Sequence, residues 1–214
     1  MPVLIRGDSQ MIVLERSYSP ATLARRFEVI DEIRFNNIDM LVIYDEKIPF
    51  IAIAEAQTRT DNRGENRHHV VATLELARRE NSDEMLEVRQ FWEDDKAFQV
   101  EGVVVNSGMR DYRLATLLYE TLVVKKHLTL MSDNDHYSGG RALWKRLAQD
   151  SAGLLVFILD TEKGQFYPYD GSKMRYDGVS IPESAIWSSH PDQTHWPVVL
   201  IAQNNKRLSA LSAC

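Results

Sequence analysis

The chain has 214 residues, of which 44% are hydrophobic, and its 25 basic and 31 acidic side chains give a formal net charge of −6. This length suffices for one sizeable hydrophobic core, and the acidic balance argues against a protein that grips duplex DNA over its whole surface. The longest apolar runs, 154–159 and 198–202, fall far short of the roughly 20 residues that cross a bilayer. We therefore expect no membrane segment.

The single cysteine and the first ten residues bear on redox chemistry and location. Cys214 is the only cysteine, so the chain cannot form an internal disulfide or a cysteine-based metal site. Arg6 and Asp8 interrupt the apolar run that a signal peptide would need. A cytoplasmic protein is the expectation.

The first predicted element is a helix. Ser19 followed by Pro20 is typical of a helix start. Apolar residues then recur at helical spacing through Ile30 and Ile33. The sequence therefore predicts a helix from Pro20 to Phe35.

Two strands, a polar loop and a second helix are predicted next. Residues 40–44 and 50–56 are apolar runs on either side of a short polar segment, which predicts two antiparallel strands. Residues 58–69 carry three arginines four positions apart among Asp, Asn, Gly and Glu. This composition favours a solvated loop, with a basic binding arm as the alternative. Apolar residues on one side of His69–Glu80 predict a helix there.

The middle of the chain alternates strands with helices. The run Val103–Val105 indicates a central strand that is buried on both faces. A helix is predicted to begin near Arg110 or Asp111, followed by a short strand at 128–133 and a further helix from Tyr137. Such alternation predicts an α/β fold with a partly parallel, mixed sheet and helices packed against it.

The end of the chain is predicted to hold a hairpin and one more strand. Residues from Leu154 form a strand, a polar turn at 163–164 and a second strand, and 198–202 form the last strand. We place residues 1–171 in one domain and residues 172–214 in a C-terminal extension packed on it. Trp187 and Trp196 lie in that extension among Pro and polar residues. Aromatic side chains there could anchor a partner, although they more often form a satellite core.

The junction after the valine strand is the first candidate for chemistry. A strand that ends in a Ser107-Gly108 loop and leads into a helix presents free amide groups, which can bind an anion. Arg110 and Arg113 would add two cations where cations oppose the helix dipole. A bound polyanion explains them, and two solvent-facing arginines on an amphipathic helix are the alternative.

This order of elements resembles the GNAT (Gcn5-related N-acyltransferase) superfamily. In that family the strand is splayed from its neighbour, and the following pattern, Arg/Gln-x-x-Gly-x-Gly/Ala, wraps the pyrophosphate of acetyl-coenzyme A. The matching stretch is Arg110–Ala115, in which Arg113 replaces the middle Gly. The resemblance covers Phe98 to Asp160 and, more weakly, Met11 to Gln57. It implies a cofactor site formed by Val103, Val105, Ser107, Gly108, Arg110, Arg113, Leu114 and Ala115.

The stretch "LTLMSDNDHYSGGRALW" is similar to the divergent GNAT-like proteins that phages encode, which have a Ser-Asp strand end before a Ser-Gly-Gly helix start. The resemblance implies that Asp133 is a base or orienting residue and that Tyr137 is the acid for the leaving thiolate. Glu55 is another candidate base, and His136 titrates near neutrality. The structural alternatives are that Asp133 caps the helix and that Tyr137 is a packing residue.

Other site classes fail on spacing. A calcium loop from Asp133 would need Gly at the sixth position and an acid at the twelfth, where Ser138 and Trp144 stand. The six histidines show no metal-ligand pattern, so we predict no metal. The chain has neither a Gly-x-Ser-x-Gly elbow nor a phosphate-binding Gly-x-x-x-x-Gly-Lys loop.

The resemblance therefore implies an acyltransferase that uses acetyl-coenzyme A or another acyl-coenzyme A, bound between the valine strand and the next short strand. The acceptor would be an amine on a small molecule, a protein or a modified nucleotide, with duplex DNA a weaker expectation. The alternatives are a non-catalytic phage structural or host-interaction protein on the same fold and a relative that modifies nucleotides or DNA. A homodimer stays open, and a phage-encoded chain would act in the host cytoplasm.

Overall fold

The computed structural model describes residues 16–77, 97–132, 138–187 and 197–206. It is an α/β protein with a mixed, mostly antiparallel sheet flanked by helices, as the alternation of elements predicted. The described residues fall into two compact units. One contains 16–76 and 102–118, and the other contains 77, 97–101, 119–132, 138–187 and 197–206. Among these residues no helix is long and apolar enough to cross a bilayer.

The first helix is much shorter than predicted. After the two-residue strand β1, Ser17–Tyr18, helix α1 spans Pro20–Arg26, and Ser19 caps it by accepting a hydrogen bond from the Thr22 amide at 3.2 Å. Strand β2 then covers Glu28–Phe35, so the prediction of a helix to Phe35 is wrong. A β-bulge between Val29 and Asp31 shifts the alternation of apolar residues, and the shift mimics a helical period.

The predicted pair of antiparallel strands is confirmed. Strand β3 spans Ile38–Asp45 and strand β4 spans Phe50–Glu55, and they pair in antiparallel register. Strand β2 joins β3 through Asn36 and Asn37, whose φ angles are 46° and 64°. A type I′ two-residue hairpin turn requires positive φ at both positions, and Asn adopts it more readily than most residues.

The helix predicted over His69–Glu80 is wrong where the chain is described, because Asn66–Ala77 form strand β6. Strand β6 lies between β4 and β7, and both of its faces are buried over residues 70–74. A strand that is buried on both faces lacks the alternation of apolar and polar residues that identifies a half-buried strand. The apolar positions of β6 therefore resembled the apolar face of a helix. Strand β5, Arg59–Thr60, pairs with the start of β6, which makes the polar segment 58–69 a hairpin.

Strand β7, Ala97–Val105, was predicted as a strand but not with its observed burial. Residues 97–100 are buried, whereas Val103–Val105 are only half-buried, so the prediction that they are covered on both faces is wrong. Consecutive valines indicate only that the backbone is extended. Whether both faces of the strand are buried depends on distant parts of the chain. The unit of residues 16–76 and 102–118 has the strand order β7-β6-β4-β3-β2.

The helix predicted from Arg110 or Asp111 begins later. Ser107–Tyr112 form a 3₁₀ helix, Arg113 adopts a left-handed conformation, and α2 spans Leu114–Glu120. A π-helical segment, Thr121–Lys125, continues it. Because Arg113 is left-handed, the chain changes direction there, between the 3₁₀ helix and α2.

The other unit has the strand order β10-β9-β12-β8-β7. Its remaining elements are β8 Thr129–Met131, α3 Ser138–Asp150, β9 Leu154–Asp160, β10 Gln165–Phe166, β11 Arg175–Tyr176, α4 Glu183–Ile186 and β12 Val198–Asn204. Strands β7 and β8 are parallel, and β12 is antiparallel to both β8 and β9. The predicted hairpin after Leu154 and the predicted last strand are confirmed. The boundary between residues 171 and 172 stays a prediction.

Two tryptophans pack in this unit rather than presenting aromatic surface. Trp144 of α3 meets Tyr119 edge to face, with ring centroids 5.4 Å apart. Trp187 is 3% exposed, so it is a core residue, as the satellite-core interpretation predicted, and not an exposed anchor. The guanidinium of Arg141 lies 5.8 Å from its ring centroid. Trp196 lies outside the described residues.

Candidate functional site

Three hydrogen bonds of Asn106 hold the loop after β7 in its conformation. Its amide donates to the carbonyl of Val71 at 2.8 Å, which attaches the loop to β6. Its side-chain Oδ1 accepts the amide of Gly108 at 3.0 Å, and its carbonyl accepts the amide of Met109 at 2.8 Å. These bonds hold the turn closed, and Ser107 and Gly108 are exposed on it.

Gly108 is not needed by the fold itself. A Cβ placed there would meet only Oδ1 of Asn106, at 3.6 Å, which is an ordinary van der Waals distance. Its φ angle is not in the left-handed region either. A methyl group at this position would therefore fit without displacing its neighbours.

Arg113 has a left-handed backbone, the conformation that favours Gly. Its φ and ψ angles are 56° and 27°. For a residue with a Cβ this conformation costs about 1–2 kcal/mol. Leu114, the next residue, is 1% exposed and starts α2 in the core, while the Arg113 side chain is exposed. An exposed cation therefore stands at a backbone position that Gly would adopt without this cost.

Tyr112 ties the 3₁₀ helix to the β2–β3 turn, and sequence reasoning did not identify it. Its ring lies 6.0 Å from the ring of Phe35, and its hydroxyl accepts a hydrogen bond from the side-chain amide of Asn36. The partners are 76 positions apart in sequence. Such a contact leaves no local pattern, so the sequence contained no signal for it.

Glu55 is the last residue of β4, and it is 7% exposed. Its carboxylate accepts a hydrogen bond from the guanidinium of Arg59, whose side chain is 64% exposed. Nδ1 of the buried His68 lies 2.9 Å from the Glu55 carbonyl oxygen.

Glu55 and the Asn106 loop lie at the same edge of one sheet. Ala54 of β4 is opposite Val70 of β6, and the next β6 residue, Val71, accepts the amide of Asn106. Only β6 separates the two strands, so they are about 10 Å apart at strand spacing. Met40, opposite Glu55, brings the β2–β3 turn to this edge as well.

The polar hairpin at 58–69 uses its charges internally. The Asp61 carboxylate accepts the amides of Arg63 and Glu65, at 2.8 and 2.9 Å, and these hydrogen bonds lower the pKa of Asp61. Arg67 pairs with both Asp61 and Glu65. With Arg59 on Glu55, two of the three regularly spaced arginines serve contacts inside the hairpin and β4, which favours the loop interpretation over a binding arm.

Some predicted site residues lie at one sheet edge, two lie on the strand that leads there, and the rest lie outside the described residues. The structure gathers Glu55 and the loop residues Ser107, Gly108, Arg110, Arg113, Leu114 and Ala115 at one sheet edge, with Val103 and Val105 half-buried on the strand that leads there. Asp133, His136 and Tyr137 lie outside the described residues. Ser132, just before them, is buried, and its hydroxyl accepts the amide of Leu200 at 3.0 Å.

Within the described ranges, no group of three or more His, Cys, Asp and Glu residues is arranged to hold a metal ion. The chain matches no protein-family model, no curated protein and no solved structure. The arrangement of its own residues therefore has to carry any functional conclusion.

Proposed function

We propose that the protein is an acyl-coenzyme A-dependent N-acyltransferase that passes an acyl group directly to an amine. The observation that carries the proposal is the backbone at Arg113. A left-handed residue lies between a capped turn and a buried helix start, at the position that the resemblance reserves for Gly. The fold retains this conformation despite its cost to an arginine.

The loop offers the contacts that a pyrophosphate needs. Ser107 and Gly108 present an exposed turn with free space in front of Gly108. Arg110 and Arg113 are both exposed close to that turn, and arginine forms bidentate hydrogen bonds with phosphate oxygens. A polyanionic ligand accounts for two cations at a place where the backbone amides already favour negative charge.

The pairing of β7 and β8 also supports the proposal. The two parallel strands pair from Ala97 with Thr129 to Gln99 with Met131, while β7 continues to Val105. The resemblance places the acyl-coenzyme A beside this parallel pair of strands.

The chemistry requires a base, an oxyanion donor and an acid. In the proposal a carboxylate, from Glu55 or Asp133, takes a proton from the attacking amine. The nitrogen then forms a bond to the thioester carbonyl carbon, the carbon–sulfur bond breaks, and Tyr137 protonates the leaving thiolate. Glu55 is a buried carboxylate at the end of β4, and the guanidinium of Arg59 holds it in place.

Thermal unfolding with acetyl-coenzyme A tests binding. A ligand that binds only the folded state stabilises it by about 2.7 kcal/mol at a hundredfold excess over Kd. We expect a higher Tm with acetyl-coenzyme A and a smaller change with free acetate. Gly108→Ala is the matched variant, because the fold has room for the methyl group whereas an approaching phosphate does not. It should keep the Tm of the unliganded protein and lose most of the shift.

Turnover assigns the chemistry once binding is seen. We expect Glu55→Gln, Asp133→Asn or Tyr137→Phe to retain the thermal shift and to lose acyl transfer to a panel of amines. Unchanged Tm with acetyl-coenzyme A at high concentration would favour the second candidate, a non-catalytic protein on this fold. The arginine in place of the motif Gly is the observation that supports that candidate.

A further inference from the structure

Two aromatic side chains stay partly exposed beside the Asn106 loop. Phe35 is the last residue of β2, and Tyr112 is the last residue of the 3₁₀ helix. Their ring centroids are 6.0 Å apart, and the ring planes are tilted by 45°. Both residues are half-buried, whereas Tyr119 and Trp144, which make a similar ring contact, are buried. Solvent therefore reaches part of the Phe35–Tyr112 pair.

Ile38 enlarges this apolar surface. Phe35 and Ile38 are cross-strand partners in the register of β2 and β3, so their side chains lie on the same face of the sheet. Ile38 is 38% exposed. Arg34 and Asp39, the next cross-strand pair, lie on the opposite face and form an ion pair at 3.4 Å. We call Phe35, Ile38 and Tyr112 the aromatic patch.

The β2–β3 turn holds the aromatic patch in a fixed arrangement. The side-chain amide of Asn36 donates to the Tyr112 hydroxyl, which orients that ring. Asn36 and Asn37 form the two-residue turn, and both are exposed. A carboxamide group has a donor and an acceptor side by side, and it recognises the edge of adenine through both. The turn therefore supplies carboxamide groups next to the aromatic patch.

Two cations accompany the aromatic patch in the sequence. Arg113 directly follows Tyr112, Arg110 precedes it by two positions, and both arginines are exposed. A guanidinium group forms bidentate hydrogen bonds with phosphate oxygens. A ligand that joins a planar ring to phosphate groups through a short linker matches this combination of aromatic and cationic side chains. A nucleotide has this composition, because ribose joins its base to its phosphates.

We propose that the aromatic patch binds the purine base of a nucleoside diphosphate whose phosphates bind Arg110 and Arg113. A purine offers a larger face for stacking than a pyrimidine does, and stacking on aromatic side chains is a common way to hold a base. The inference rests on the proposed function, since coenzyme A contains an adenosine diphosphate group. It goes beyond that function by assigning recognition of the base to Phe35, Tyr112 and the Asn37 carboxamide.

The adenosine diphosphate group occurs both in free ADP and in coenzyme A, and a comparison of ligands distinguishes the two sources. Coenzyme A carries a further phosphate on its ribose, which dephospho-coenzyme A lacks. Tighter binding of coenzyme A than of both ADP and dephospho-coenzyme A would identify the coenzyme as the source. ADP that binds as tightly as coenzyme A would identify a free nucleotide.

The test is isothermal titration calorimetry with ADP and with inorganic pyrophosphate. Stacking of one base on an aromatic side chain increases affinity by about 5- to 150-fold. We therefore expect the wild-type protein to bind ADP at least about fivefold more tightly than pyrophosphate. Tyr112→Leu should lose this advantage and keep its affinity for pyrophosphate, whereas Tyr112→Phe keeps the ring and should bind ADP nearly as the wild type does. Uridine diphosphate, which has the smaller ring, should bind more weakly than ADP.

Tyr167 provides a matched control. It is half-buried, and its ring centroid lies 5.5 Å from that of Tyr169, in the other unit. Tyr167→Leu should leave the affinities for ADP and pyrophosphate unchanged. Phe35→Leu is the second variant of the aromatic patch, and it should show the same selective loss of ADP affinity if Tyr112→Leu is too unstable to titrate.

Equal affinity of the wild-type protein for ADP and pyrophosphate, or no binding of either, would overturn the inference. Equal losses of ADP affinity in Tyr112→Leu and Tyr167→Leu would do so as well, and equal binding of uridine diphosphate would overturn the assignment to a purine. Equal affinity for ADP and pyrophosphate with an intact thermal shift by acetyl-coenzyme A would leave the proposed function standing. ADP binding that depends on Tyr112, without any acyl transfer, would overturn only the proposed function.

Discussion

The Asn106–Ala115 loop and the Asp160–Tyr176 segment both place cations beside a strand end, yet they treat these cations in opposite ways. In the first, Arg110 and Arg113 are exposed, and the cost lies in the backbone at Arg113. In the second, Lys173 has lost much of its hydration because its amine lies against two aromatic rings.

The difference separates two environments of a cation. An exposed guanidinium keeps its charge under all ordinary conditions and suits a polyanionic ligand. A half-buried amine pays for lost hydration, and burial lowers the pKa of Lys173 to about 7. The predictions that follow test each half of this comparison, in order of expected size.

The largest effect is expected for Phe157→Ala. Removal of a buried Phe side chain costs about 3–5 kcal/mol of unfolding free energy. The same change exposes Nζ of Lys173 to water on one side, so its pKa should rise. Urea unfolding measures the first effect, and the pH dependence of acetylation at Lys173 measures the second. Unchanged reactivity of Lys173 in a folded Phe157→Leu variant would show that this ring does not control the amine.

The pH dependence of stability should distinguish Lys173 from Lys163. A buried lysine whose folded pKa is about 7 binds fewer protons than in the unfolded chain between pH 7 and about 10.4, so its penalty is full below pH 7 and is relieved as pH rises. Lys173→Met should therefore stabilise the protein most at pH 6 and least at pH 10.

Lys163 should behave in the opposite way. Its pKa is raised by the hydrogen bond to Asp160, so its stabilising contribution is present at pH 6 and is lost only as pH rises through the folded pKa. Lys163→Met should destabilise across the neutral range. Parallel pH profiles for the two methionine variants would contradict the contrast.

In the loop, Asn106→Ala should lower the free energy of unfolding by about 1 kcal/mol, because the Gly108 amide loses the acceptor that caps the turn. Asn106→Asp is the control, since its carboxylate keeps an acceptor in the same place. Chemical denaturation of both variants measures the difference. Equal losses of unfolding free energy in the two variants would mean that Asn106 stabilises the loop by some other contact than this hydrogen bond.

The smallest effect concerns Arg113. Gly removes the strain of the left-handed conformation, and the gain of about 1 kcal/mol is partly offset by the greater entropy of Gly in the unfolded chain. Arg113→Gly should thus be neutral or slightly stabilising, whereas Arg110→Gly, at an ordinary φ, should destabilise by about 0.5–1 kcal/mol. Equilibrium unfolding of the pair decides it, and destabilisation by both would mean that the Arg113 side chain contributes to the fold.

Local patterns predicted some elements well. The β3–β4 hairpin, the hairpin after Leu154 and the strand at 198–202 are all present. Each is a short apolar run bounded by turn residues, so neighbouring residues suffice to define it. The coarse α/β class followed from the alternation of such runs with helices.

Two strands were predicted as helices for identifiable reasons. The bulge between Val29 and Asp31 changes the period of β2, and the central position of β6 removes the polar alternation. Neither a bulge nor two-sided cover can be read from a single strand, because both depend on which strands become neighbours.

The candidate site shows the same limit. The loop after β7 was identified from its Ser107-Gly108 turn and its arginines, and Glu55 from its place at a strand end. The left-handed backbone at Arg113, the contact of Tyr112 with the β2–β3 turn and the pairing of Glu55 with Arg59 required the structure. Asp133 and Tyr137 stay predictions.

The sequence by itself determined the β3–β4 hairpin, the hairpin after Leu154, the last strand and the place of Arg110 and Arg113 after the valine strand, because each depends on residues within a few positions. Only the tertiary structure decided which sheet edge collects Glu55 with the Asn106 loop and which lysine loses its hydration. Phe157, Phe166 and Gln203 come from three strands to surround Lys173. Burial and hydration depend on such distant neighbours, and no local pattern records them.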